Sequence, residues 1–92
     1  MTSENKNHKG IINTNEKVAK ATYKLTFQSN SLSSINAGQF VSILCSTLPL
    51  RRPFSVADFD KEAKQITVYY RQKGKGTEYL TTLEKGDEVV FS

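Results

Sequence analysis

Tryptophan is absent from the 92 residues, and cysteine, methionine and histidine occur once each. The single cysteine, Cys45, excludes an internal disulfide and cannot by itself hold a zinc ion or an iron–sulfur cluster. No run approaches the roughly 20 apolar residues of a membrane helix, so an integral helical membrane protein is excluded. The polar opening Met1-Thr2-Ser3-Glu4-Asn5-Lys6 lacks the apolar stretch of a secretory leader, and a cytoplasmic location is the expectation. Residues 1–8 also lack periodicity and read as a loose terminus. His8 stands there with no carboxylate or cysteine spaced for a metal or a catalytic triad, and a solvated ring is expected.

What is present describes one small globular domain. Hydrophobic residues make up 37% and charged residues 24%, more β-branched and aromatic content than a disordered chain carries. A domain of this size buries about 60–70% of its unfolded surface, enough for one core and too little for a deep two-domain cleft. The net charge of +4 suits nucleic acid, a phosphate-bearing cofactor or plain solubility. Its distribution says more. Arg51, Arg52, Arg71, Lys73 and Lys75 flank two segments that also carry turn glycines, whereas Asp58, Asp60 and Glu62 gather at what reads as a solvated hairpin tip.

Periodicity outlines strands. A short one is expected around residues 10–13, and Tyr23, Leu25 and Phe27 alternate onto one face of another. Residues 39–45 form the most apolar run, a central strand broken at 47–50 by Pro49. Residues 54–58 and 65–71 are strands around a turn, and 88–91 is the last. The one helix expected covers 78–83, with Thr77 as N-cap and Tyr79, Leu80 and Leu83 on its buried stripe. Six short strands and one late helix predict an all-β fold, a small antiparallel Greek-key barrel, filling residues 9–92.

Two segments could carry chemistry. In Arg51-Arg52-Pro53-Phe54-Ser55 the proline extends the arginine before it, whose planar fork suits phosphate. Phe54 adds a flat face and Ser55 a hydroxyl, so a phosphate-bearing aromatic ring fits; a surface arginine pair before an ordinary buried strand fits as well. In Tyr69-Tyr70-Arg71 followed by Gly74-Lys75-Gly76-Thr77, the glycines let backbone N–H groups approach an anion at a helix start. A tight turn with a capping threonine is the plainer reading, and without a full Walker pattern nucleotide hydrolysis is not indicated. Cys45, in an apolar strand, is expected to be buried and inert. No nucleophile or acid–base constellation is present.

Taken in order, Ala37-Gly38-Gln39-Phe40-Val41, then Leu50 through Ala57, then Val68-Tyr69-Tyr70-Arg71, then Gly74-Lys75-Gly76-Thr77, then Leu83 through Val89 resemble the FAD-binding barrel of the ferredoxin–NADP reductase superfamily. Within it the pattern is similar to the electron-transfer subunits of class 1B dihydroorotate dehydrogenases. The resemblance implies that Arg52 pairs with the FAD pyrophosphate, with Pro53 setting the strand. It implies that Phe54 lies against the isoalloxazine and that Ser55 hydrogen-bonds near its N5. Tyr69, Tyr70 and Arg71 match a second flavin-contacting strand, and Gly76 and Thr77 the turn that holds a phosphate. Family members continue into a nucleotide-binding domain, and the dehydrogenase subunits add four cysteines for a [2Fe-2S] cluster. On that pattern the chain is a piece that ends before the NAD site and is not catalytically competent alone. The implied parent passes electrons between NAD(H), FAD and the cluster, with an FMN-containing catalytic subunit of pyrimidine synthesis as partner. A different class of reading is a basic barrel that binds single-stranded nucleic acid through Phe54, Tyr69 and Tyr70. A third is an interaction module or homodimer formed through an unpaired last strand.

Overall fold

β1 (His8–Ala19) and β2 (Thr22–Gln28) open a computed structural model that describes residues 8–32, 38–45 and 51–92. β3 (Phe40–Leu44), β4 (Arg51–Asp60), β5 (Gln65–Arg71), the helix α1 (Lys75–Leu80) and β6 (Glu88–Phe91) follow. The strands close into an antiparallel barrel in the order β1-β2-β5-β4-β3-β6, the Greek-key arrangement the periodicity predicts. The loose terminus at 1–7, Ala37, Leu50 and the break at 47–50 lie outside the described residues. Among the described residues no helix is long and apolar enough to cross a membrane.

Several boundaries differ from the sequence expectation. β1 runs 12 residues, because its first part pairs with β6 and the rest with β2. Irregularities in register after Ile12 and after Lys17 interrupt its alternation, which hides the strand from a period-2 reading. His8 is therefore not a solvated terminal residue: it begins β1, its ring centroid 5.4 Å from that of Phe91. β4 starts three residues early and includes Pro53, at a point where the strand pairs with β3 and has not yet joined β5. β6 is no open edge. It pairs with β1 and, through Ile43 and Phe91 and reciprocal Ser42–Ser92 backbone bonds of 3.0 and 2.9 Å, with β3.

The helix begins at Lys75, three residues before its expected start, because Gly74 (φ 118°) turns the chain out of β5 and takes the cap position. Thr77 does not cap it. Its hydroxyl accepts the Lys73 N–H at 2.7 Å and donates to the Gly74 carbonyl at 3.3 Å, bracing the turn from inside. At the β4–β5 tip, the Asp60 carboxylate accepts the N–H groups of Glu62 and Ala63 at 3.0 and 3.1 Å. That acidic cluster is exposed turn chemistry, as expected.

Every strand sends apolar side chains inward: Ile12, Leu25, Ile43, Val56, Val68 and Phe91 are all buried. Leu80 carries α1 onto this core, and Tyr79 and Leu83 pack partly against it. An aromatic group forms one flank. Tyr23 and Tyr70 stack with centroids 5.3 Å apart, and Phe54 meets Tyr70 edge-on at 6.1 Å. The Tyr70 hydroxyl donates to Asn15 Oδ1 at 2.8 Å. Burial outweighs that hydrogen bond and pushes the Tyr70 phenol up to about 12.

Two stability predictions follow from this packing. A Cβ at Gly10 would stand 2.9 Å from the Gln28 carbonyl oxygen and 3.2 Å from both Phe27 and Phe91. Gly10→Ala is expected to cost about 1–3 kcal/mol, read as a lower urea midpoint, since backbone cannot yield as a side chain can. Because the folded state raises the Tyr70 phenol above its ordinary 10.0, its contribution is intact below pH 10 and is lost as pH rises toward 12. Thermal melts between pH 8 and 11 should show a steeper alkaline fall for wild type than for Tyr70→Phe; parallel curves would refute this.

Candidate functional site

The site builds outward from β4. Register places Arg52 opposite Ile43, on the inward side, but at the strand's end its side chain leaves the core and is exposed. There it lies on the first turn of α1. A Cβ added to Gly76 would come 3.1 Å from Arg52 Nε and 3.3 Å from Cys45 Cβ, so this contact requires glycine. The first helical N–H to find a backbone acceptor is that of Glu78, on Gly74 O at 2.9 Å. The N–H groups of Lys75, Gly76 and Thr77 precede it and have no acceptor in their own helix. A guanidinium and a first helical turn thus converge across a contact too tight for any side chain, in a strongly basic stretch that includes Lys73 and Lys75.

Cys45 is buried beneath this contact, its Sγ 3.3 Å from the Ile43 carbonyl. Burial raises its thiol above 9.0, with the Arg52 charge and backbone N–H pulling the other way. The thiol is buried, as expected from the sequence, and is protonated at neutral pH.

β4 divides the remaining predicted residues between two faces. Phe54 (9% exposed) and Tyr70 (4%) turn their rings into the barrel. The same burial removes two of the three rings that the nucleic-acid reading needs for stacking on bases. Pro53, Ser55, Tyr69 and Arg71 face outward. Ser55 pairs with Phe40, which is 71% exposed, and one step past the Val56–Val68 pair stands Tyr69, 51% exposed. The outward aromatic surface is therefore Tyr69 and Phe40 around Ser55. Phe40 was hidden in an apolar run; its alternation against buried Val41 and Ile43 is the signal that marks it.

A hollow of about 290 Å³ lies elsewhere, lined by Lys9, Ile11, Gln28, Ser29, Asn30 and Ser31, none of them predicted site residues. Among the described residues, no three His, Cys, Asp or Glu side chains converge to hold a metal ion.

No family model matches the chain. It is 40% identical over 76 residues to the electron transfer subunit of dihydroorotate dehydrogenase B (NAD(+)) from Geobacillus thermodenitrificans, covering 78% of this chain and 30% of that protein. The Streptococcus mutans counterpart is 34% identical over 74 residues, covering 78% of this chain and 29% of that protein. The structure of an NADH-dependent reduced ferredoxin–NADP oxidoreductase superposes with a TM-score of 0.79 at 28% identity, over 88% of this chain and 30% of that one. The chain spans about three-tenths of the length of these curated relatives. Sequence likeness and the closed six-stranded barrel agree: the chain has the fold of the ferredoxin–NADP reductase-like barrels and is similar to dihydroorotate dehydrogenase B electron-transfer subunits.

Proposed function

We propose that these residues form the FAD berth of an electron-transfer flavoprotein. The observation that carries the reading is the Arg52–Gly76 contact, which sets a guanidinium side chain against the first turn of α1, where the leading N–H groups have no helical acceptor. That donor set fits a pyrophosphate: a charged planar fork from one side and neutral donors from the other. The Gly76 and Thr77 N–H groups belong to it, while the Thr77 hydroxyl is spent on the turn itself.

Ser55, three residues along β4, lies about 10 Å from Arg52 at strand rise and faces outward beside Tyr69. A ligand whose ring and phosphates are joined by a flexible chain suits that separation. The isoalloxazine then meets the Ser55 hydroxyl and the Tyr69 ring, with Arg71 adding positive charge and Pro53 keeping the strand extended between the two sites. Phe54 and Tyr70 serve as the apolar floor that holds β4 and β5 in place.

Bound FAD would supply hydride acceptance and one-electron transfer. The protein's part is to bind, orient and shield it. Exchange of electrons with NAD(H), with a [2Fe-2S] cluster and with an FMN-bearing dihydroorotate dehydrogenase catalytic subunit is proposed for the complete assembly. The 92 residues hold one cysteine and provide no cluster ligand set, so their share is the flavin.

Quenching of FAD fluorescence on titration with the purified chain tests this. Arg52→Ala should weaken FAD by about 10–100-fold, the range for losing charged hydrogen bonds, while exposed Lys61→Ala leaves it unchanged. Equal affinities for the two variants, or no quenching by the wild type, would sink the proposal.

A further inference from the structure

One polar side chain of β1 ties that strand to the end of the helix. Asn15 Nδ2 donates to the carbonyl oxygens of Leu80 and Leu83 at 2.7 and 2.9 Å, while its Oδ1 accepts the Tyr70 hydroxyl at 2.8 Å. Both amide hydrogens are used. The two carbonyls also decide the amide's orientation, because the reverse would set oxygen against oxygen. Asparagine alone combines an acceptor and two donors at this reach; aspartate has the shape but cannot donate.

The carbonyls it holds belong to the last residue of α1 and the turn just beyond. α1 is six residues, about 9 Å long, and the buried Leu80 anchors the same end. Its other end carries Gly76, seated against Arg52 with no room for a Cβ, and Thr77, which braces the preceding turn.

We propose that Asn15 is a positioning residue for the anion cradle: through α1 it sets how the Gly76 and Thr77 N–H groups meet Arg52, without touching a ligand. Tyr70 orients it. The inference deepens the flavin reading and rests on it for the identity of the ligand, though the mechanical link stands on its own contacts.

The test uses the full chain with Asn15→Asp, and Asn15→Ala should the first not fold. Two readouts are taken: the Gly76 and Thr77 amide signals in a ligand-free ¹H–¹⁵N spectrum, and affinities for ADP and for lumiflavin. Both amides should move, and ADP should weaken by about tenfold, the loss expected of one to two hydrogen bonds, with lumiflavin unchanged. Unmoved amides would overturn the proposal, as would ADP and lumiflavin weakening in equal proportion, the signature of general loosening. If wild type binds neither ligand, the flavin reading fails while the amide signals still judge Asn15.

Discussion

Closure of the barrel is the constraint on which everything else depends. Once six strands pair around a ring, each must send alternate side chains inward, and the interior has room only for well-packed apolar groups. On β4 this places Phe54 and Val56 in the core and leaves Pro53 and Ser55 outside. Arg52 has inward parity and escapes only because it stands at the strand's end, where α1 lies against it. A chemically mixed motif of four residues is thereby split into a guanidinium at the helix, a ring in the core and a hydroxyl on the outer wall.

The helix is held at both ends by different physics. Its start is fixed sterically, by the absence of a side chain at Gly76, and its end by the hydrogen bonds of a single amide. Tyr70 joins the two systems. It stacks on Tyr23, meets Phe54 edge-on and donates to Asn15, so the aromatic flank of the core and the seat of the helix share one phenol. Such a buried hydroxyl must keep its proton and its partner, since a charged or unsatisfied oxygen there is costly.

Much of this was legible in the chain. Alternation in residues 22–27 and 65–71 marked β2 and β5, and turn residues marked the β4–β5 hairpin. The segment order from Gly38 to Val89 carried the family resemblance that the relatives bear out. The errors have physical causes. β1 was read as a fragment because register irregularities break its period, and the helix start was placed late because Thr77 has the chemistry of a cap but spends it on Lys73. His8 looked like part of a loose terminus because nothing local announces pairing with a strand some eighty residues away.

Composition and pattern by themselves determined a small all-β chain, a buried cysteine, and basic turns suited to an anion. Those are local properties, set by side-chain chemistry and by spacing along one strand. Only the tertiary structure decided which ring of Tyr69 and Tyr70 faces outward, that Phe54 is core and Phe40 surface, and that Asn15 reaches Leu80 and Leu83. Each of these depends on contacts between residues distant in sequence, and bulges, strand ends and closure reset the local period before those contacts form.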